Sequence, residues 1–509
     1  MSALGGRTAM MKLGWSHIPV AVLFVATMAT ASHAQTFTSL VSFDGPDGAN
    51  PRYGNLVQGR DANFYGTTST GGNTSCSDGC GTVFKLTPNG GLTTLHSFNM
   101  TDGSAPWSGL LLHSDGDFYG TTSAGGDLTC VLSDDGCGTI FKVSSAGALT
   151  TIHNFTGTDG SSPTAGVIEG IDGSLYGTTN SGGDLTCGGG SGCGTIFKIT
   201  PAGSLITLHS FNEGDGTQPI AGLIQATDGN FYGTTSGGGN LSCNAGFGCG
   251  TIFRITPSAK FKALHYFSGA DGALPYGGLV QASDQNIYGT TGYGGSSNAG
   301  TIFKFTLSGK LTNLYTFCFC PDAAAPVSAL VQGTDGNLYG TTVFHGNSWG
   351  TVFEITPGGM LTTLYSFCSQ SGCADGAGPY GGLLLATNGT FYGTTYFAGG
   401  HSDGTVFNLS TGLEPSIAFV RRMGKVGQTG GILGQGFTGT TSVSFNSAPA
   451  TFTVVSDTFI KATVPAGATT GYVTVATPSG TLTSNVPFKF CRKTNSRFLV
   501  ATLLGMTTW

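Results

Sequence analysis

Cysteine offers the most chemical options in this chain, and twelve of its thirteen cysteines stand in local pairs. The pairs are Cys76/Cys80, Cys130/Cys137, Cys187/Cys193, Cys243/Cys249, Cys318/Cys320 and Cys368/Cys373. Two thiols per loop without a nearby histidine fall short of a four-ligand zinc site, so no metal is expected. In an oxidising compartment the same spacing makes local disulfides that staple loops. His96, His153, His209 and His265 are the next candidates. They share one position of a repeating pattern, where Tyr315 and Tyr365 stand in two further copies, and such equivalence argues for packing over catalysis.

The carboxylates follow the same pattern. Asp61, Asp115, Asp172, Asp228, Asp284 and Asp335 take a hairpin-turn position. Asp47, Asp102, Asp159, Asp215, Asp271, Asp322 and Asp375 take a second loop. Aspartate in a turn bonds its own backbone, which explains both sets. No Asp-x-Asp-x-Asp-Gly calcium loop is present. Glu354 replaces a Lys or Arg found at the same strand position in five other copies, and is expected on a solvated face. No catalytic residue and no cofactor are predicted. The remaining chemistry is aromatic. Tyr53, Trp107, Tyr276 and Tyr380 follow loop prolines, and Trp349 stands in another loop; such rings stack on sugars or fill protein interfaces.

These residues sit in a repeat. Tyr-Gly-Thr-Thr begins at Tyr65, Tyr119, Tyr176, Tyr232, Tyr288, Tyr339 and Tyr392, at spacings of 51 to 57 residues. Gly-Thr-(Ile/Val)-Phe recurs from Gly81 to Gly404, and alternating runs end at Phe43, Phe98, Phe155, Phe211, Phe267, Phe317 and Phe367. Period-two alternation within each unit means strands. Composition agrees: 9% of residues are charged and 87 of 509 are glycine, which excludes a mainly helical protein. Four short antiparallel strands per unit predict a seven-bladed β-propeller over residues 35–411. The region opens on a lone fourth strand, Thr38 to Phe43, and ends on a third strand lacking its fourth. The N-terminal strand is therefore expected to close the last blade. The long loops and the inter-blade loops then emerge on one face, which gathers the aromatics.

The Tyr-Gly-Thr-Thr, Gly-Thr-Ile-Phe and Asp-Gly positions resemble the GloVer-type tandem repeat of exported "choice-of-anchor" bacterial proteins. That resemblance implies export and repetition, with no particular chemistry. From Leu413-Glu414-Pro415 the composition shifts. The Gly434-Gln435-Gly436-Phe437 turn, Val464-Pro465 and Gly471-Tyr472-Val473-Thr474-Val475 resemble an IPT/TIG domain, which implies an immunoglobulin-like β-sandwich at 412–490 serving as a spacer or interaction module. Residues 491–509 match neither pattern.

The N-terminus reads as an export signal over residues 1–34: Arg7 and Lys12, an apolar run from Ile18 to Thr27, then Ser32-His33-Ala34 as a cleavage site. No later stretch is long enough to span a bilayer. A net charge of −6 without a basic stripe argues against nucleic acid. The expectation is an exported, non-enzymatic binding or scaffold protein, its ligand a polysaccharide or surface protein held on the loop face. Tyr53, Trp107, Tyr276, Tyr380 and Trp349 are the binding candidates. The alternative is a polysaccharide hydrolase or lyase, which needs two unsymmetrical carboxylates about 5–9.5 Å apart.

Overall fold

The computed structural model describes residues 35–74, 76–318, 323–345 and 349–491, and these are all-β apart from three single 3-10 turns. The expected export signal, the tail beyond Cys491, Cys320 and Asp322 lie outside the described residues. Residues 36–410 build seven four-stranded antiparallel sheets. In the second, Leu111–Leu112, Phe118–Thr122, Thr139–Val143 and Leu149–Asn154 pair in order, and Ile140↔His153 passes to Phe141↔Thr151 through a β-bulge. The seventh sheet takes its outer strand from the far end of the chain: Thr36–Ser42 pairs with Thr405–Ser410 from Thr36↔Ser410 to Ser42↔Thr405. Each sheet packs on the next through a buried cluster. One of these clusters joins Phe43, Tyr392 and Val406 of the seventh sheet to Leu56, Phe64 and Phe84 of the first. The ring is closed.

Each letter of Tyr-Gly-Thr-Thr has a physical task. The tyrosine hydroxyl donates to the hairpin aspartate, as Tyr65 to Asp61 at 2.9 Å and Tyr119 to Asp115 at 2.8 Å. In the seventh sheet Asn388 replaces the aspartate and donates to Tyr392 Oη at 3.2 Å. The glycine lies under the third-strand phenylalanine, and a Cβ on Gly120 would stand 2.5 Å from Phe141 Cζ. The first threonine donates to a carbonyl of the following sheet, as Thr290 to Ser328 O at 3.0 Å. The second pairs with the threonine of Gly-Thr-(Ile/Val)-Phe, as Thr68 Oγ1 with Thr82 Oγ1 at 2.8 Å, and this pair recurs in all seven sheets.

A second set of links runs around the opposite ends of the inner strands. Gln58, Gln225, Gln281 and Gln332 each accept a backbone N–H from the preceding sheet, Gln58 from Thr387 at 3.1 Å. At the equivalent place in the third sheet stands Glu169, with a side chain only 2% exposed. It accepts Ser114 N–H at 3.0 Å and Ser114 Oγ–H at 2.7 Å. Its third partner is Arg421 Nη1, at 3.1 Å, from the segment that follows the ring.

That segment forms two further four-stranded sheets. Ala418–Phe419, Thr429–Leu433, Phe459–Thr463 and Phe452–Ser456 make one; Ala448–Pro449, Ser442–Phe445, Val473–Thr477 and Gly480–Thr483 make the other. Their shared core includes Ile432, Phe437, Val443, Ile460 and Val475. The segment is no loose spacer. It docks on the hairpin-turn end of the ring: Arg422 donates to Gln281 O at 3.2 Å, Thr458 Oγ1 to Arg60 O at 2.6 Å, and Arg60 lies 4.6 Å over the Phe459 ring. Burial lowers the Arg422 pKa to about 10.

Two outcomes are expected. Removing one member of a buried ion pair leaves the other uncompensated, so Glu169→Ala should cost about 3 kcal/mol in urea unfolding. Glu169→Gln with Arg421→Met introduces the glutamine found at this place in four other sheets and should recover most of that loss. The second outcome concerns pH. Burial and the hydrogen bonds to Asp115 and Asp172 push the Tyr119 and Tyr176 hydroxyls up to about 12. A raised tyrosine stabilises fully below its ordinary value of 10 and loses that contribution as pH rises through the folded value. The thermal midpoint should therefore fall between pH 10 and 12, and by less in Tyr119→Phe/Tyr176→Phe.

Candidate functional site

At the end of the ring opposite the docked segment, two kinds of loop meet. The loop entering each sheet pairs with that sheet's second-to-third-strand loop, as Ser104 N–H to Ala124 O at 2.8 Å and Ala124 N–H to Ser104 O at 3.1 Å. The proline of each entering loop rests on the Gly of Gly-Thr-(Ile/Val)-Phe in the preceding sheet. A Cβ on Gly138 would come 2.8 Å from Pro163 Cδ, and Gly138 has a φ of +90°, which only glycine adopts without strain. This contact fixes the backbone on entry, and in five sheets the residue after the proline, Thr164, Ile220, Tyr276, Val327 or Tyr380, lines the central cavity, whereas Arg52 and Trp107 stand outside the lining.

The cavity holds about 320 Å³ and is lined by the inner strands of the ring. Its lining residues are apolar, hydroxyl-bearing, amide or glycine, with no Asp, Glu or His among them. Tyr53, Tyr276 and Tyr380 close over it, packed on Ala325, Val327 and Val343. Tyr53 meets Tyr380 edge-on at 5.8 Å and Trp107 at 6.4 Å, and Tyr380 meets Tyr396 at 5.5 Å. Burial, then Tyr293 and Tyr53, push the Tyr276 hydroxyl above its ordinary value, and burial and Tyr53 do the same at Tyr380. Four of the five aromatic candidates are thus brought together. Trp349 is not among them: it is half exposed, no aromatic ring contact joins it to the cluster, and its carbonyl accepts Gly378 N–H at 2.7 Å.

Arg52 carries no signal in the repeated strings, and sequence analysis misses it, yet it sits in the middle of the arc. Its Cζ lies 4.1 Å over the Trp107 ring, 5.2 Å from Tyr53 and 5.7 Å from Tyr396. Aligning the residue after each loop proline would have found it. Arg52 stands where the other six sheets carry Trp107, Thr164, Ile220, Tyr276, Val327 and Tyr380. The framework letters repeat; this position does not.

The junction beside Arg52 is irregular in another respect. In six sheets the first threonine of Tyr-Gly-Thr-Thr bonds the next sheet, as Thr341 to Gly381 O at 3.2 Å. In the seventh, Thr394 Oγ1 is buried with no hydrogen-bond partner among the described residues. The first sheet's entering loop is turned otherwise: Tyr53 N–H donates to Trp107 O at 3.1 Å.

The other candidates hold loops in place. Five disulfides form at Cys76–Cys80, Cys130–Cys137, Cys187–Cys193, Cys243–Cys249 and Cys368–Cys373. Cys318 is described, but its expected partner is not. The histidines do more than fill space: His96, His153, His209 and His265 each hydrogen-bond an entering-loop aspartate, Asp102, Asp159, Asp215 and Asp271, at 2.8–3.0 Å. In the sheet of Tyr365, that hydroxyl donates to Asp375 at 2.8 Å instead. Burial pushes the Asp159 and Asp271 carboxyls up, but the histidines and the backbone N–H groups of Thr156 and Ser268 outweigh it and hold both below the ordinary 3.8. Glu354 accepts Asn337 Nδ2–H at 2.6 Å, and burial with the nearby Asp335 raises its pKa, so it is only partly solvated. Among the described residues no cluster of three His, Cys, Asp or Glu could hold a metal ion.

The profile of the Gloeobacter/Verrucomicrobia repeat matches residues 22–185, 77–246 and 241–453, and that of the IPT/TIG domain matches 418–490. No curated protein matches the chain. Among solved structures, similarity extends to a fungal alcohol oxidase of the AA5 family in complex with copper, at 12% identity over 90% of this chain and 99% of that one, TM-score 0.48. A putative 6-phosphogluconolactonase from Bacteroides uniformis is 16% identical over 65% and 88%, TM-score 0.43. A gluconolactonase from Xanthomonas campestris is 12% identical over 76% and 92%, TM-score 0.38.

The irregular junction gives a stability prediction. Thr290→Val breaks a buried hydrogen bond and strands an acceptor, at a cost of about 1 kcal/mol. Thr394→Val removes a hydroxyl that bonds nothing and should be neutral or stabilising in the same urea titration.

Proposed function

Because this chain belongs to the Gloeobacter/Verrucomicrobia repeat family, whose repeat accounts for most of its length, we propose that it is an exported, non-enzymatic glycan-binding protein. In this reading residues 1–34 are removed on export. Residues 35–411 form a seven-bladed β-propeller closed by its N-terminal strand, and 412–490 form an immunoglobulin-like sandwich that covers the hairpin-turn end. The loop end is left to bind.

One observation carries the reading: the repeat gives up its regularity at the position after each loop proline, and five of these residues line the cavity while Arg52 and Trp107 lie beside it against Tyr53. A scaffold alone has no use for that variation. Trp107, Tyr276 and Tyr380, joined by Tyr53, supply apolar ring faces with polar edges, the combination that suits a sugar ring, with its apolar C–H face and equatorial hydroxyls. Export is supported by the five disulfides, which persist where thiols are not kept reduced. No helix among the described residues is long and apolar enough to cross a membrane.

The test is a polysaccharide panel with the purified protein, scoring retention and soluble products together. Retention without products is expected, with at least a ten-fold loss of affinity in Trp107→Ala and Tyr380→Ala and little change in Trp349→Ala. Release of oligosaccharides would overturn the non-enzymatic reading in favour of a hydrolase or lyase. Failure to retain any polysaccharide would overturn glycan binding.

A further inference from the structure

We infer that the ligand of the aromatic cluster around Arg52 is an acidic glycan, whose uronate carboxylate is received by Arg52 while its sugar rings lie against the flanking aromatics. This rests on the glycan-binding reading above and adds charge selectivity to it.

Three observations point to an anion. Arg52 is the one charged residue among the seven that follow the loop prolines, a position otherwise filled by aromatic, aliphatic or hydroxyl side chains. Its guanidinium makes no ion pair and no hydrogen bond with any described residue; its side-chain contacts are the rings of Trp107, Tyr53 and Tyr396. A guanidinium seated over an aromatic ring is held through its π face, which leaves the in-plane N–H edge able to receive a carboxylate through two parallel hydrogen bonds. Lys85, Lys142, Lys198 and Lys304 by contrast pair with hairpin-turn aspartates, and the ring's other basic residues without an ion pair among the described residues, Arg60, Arg254, Lys260, Lys262 and Lys310, make no contact with this aromatic cluster.

The surroundings do not oppose an anion. The cavity lining contains no carboxylate. The acids of the adjacent loops, Asp44, Asp47 and Asp403, interact with one another, and none of them pairs with Arg52. The chain's net charge of −6 is spread over 509 residues, and at physiological ionic strength charges beyond about 8 Å are largely screened. The local cation therefore decides.

The experiment compares oligomers of galacturonate, mannuronate and glucuronate with their methyl esters, which keep the sugar and lose the charge. Binding to the purified protein is followed by isothermal titration. At least one free acid should bind about ten- to a hundred-fold tighter than its ester, the range expected for a charge-assisted hydrogen-bonded pair. Arg52→Ala should bring the acid down to the affinity of the ester and leave the ester unchanged. Arg52→Lys should keep part of the preference, since it retains the charge but not the fork. Equal binding of acid and ester, or a preference that survives Arg52→Ala, would overturn this inference and leave glycan binding intact. Binding of neither form, by a protein that also retains no polysaccharide on the panel, would overturn both.

Discussion

The ring depends on one contact made seven times. The phenylalanine ending each outer strand is fully buried and meets, edge to face, the third-strand phenylalanine of the next sheet. Centroid distances run from 5.0 Å for Phe367–Phe407 to 5.7 Å for Phe317–Phe353. All seven pairs, Phe43 on Phe84 at 5.3 Å included, are local in sequence; the ring closes because the strand that leads to Phe43, Thr36–Ser42, pairs with Thr405–Ser410 and so becomes the outer strand of the seventh sheet. An aromatic pair is worth about 0.5–1.5 kcal/mol beyond its burial. No single pair holds the ring, but closure means that none of the seven has a free edge. The glycine of Tyr-Gly-Thr-Thr is a consequence, because the phenylalanine needs the volume that a Cβ would occupy.

The two ends of this frame have different freedom. At the hairpin-turn end the inter-sheet amides are satisfied by buried glutamines, and the one glutamate, Glu169, is matched by an arginine from the docked segment. Isosteric exchange of Gln for Glu changes a neutral link into a charged one, and a buried carboxylate without a cation would be costly. The exchange and the docking therefore depend on each other. At the loop end the frame stops at the loop proline. The residue after that proline packs chiefly on its counterparts in neighbouring loops, as Tyr276 and Tyr380 do on Val327, so it can vary without disturbing the phenylalanine contacts that close the ring.

The legible part of the fold was the part that repeats locally. Tyr, Gly, Thr and Phe recur within strands of five or six residues, so their spacing alone marks strand order and the displaced first strand. The four glutamine links and the equivalent one of Glu169 were not legible, because each lies on a two-residue strand too short to show alternation, and its partner is 49 to 55 residues away in four cases and 329 in the fifth. Glu169 with Arg421 spans 252 residues and belongs to no repeat. The histidine–aspartate pairs were half visible: both positions recur, six residues apart, but only the folded loop brings the outer strand and the entering loop together. Arg52 escaped notice because it falls between the counted strings. Trp349 was selected by residue type alone, and type says nothing of which way a loop turns.

The junction between the seventh and first sheets follows the same chain path as the other six, because Thr36–Ser42 is the outer strand of the seventh sheet and runs directly into the loop that enters the first. The break that strand exchange introduces falls elsewhere, between the third and outer strands of the seventh sheet. What sets this junction apart is its entering loop: Tyr53 N–H meets Trp107 O of the next loop, and Thr394 Oγ1 of the seventh sheet finds no acceptor among the described residues. Arg52, Tyr53, Trp107 and Tyr380 all stand at or beside that junction, so the asymmetry that a binding site requires comes from the residues of one entering loop, carried on a frame that stays regular around them.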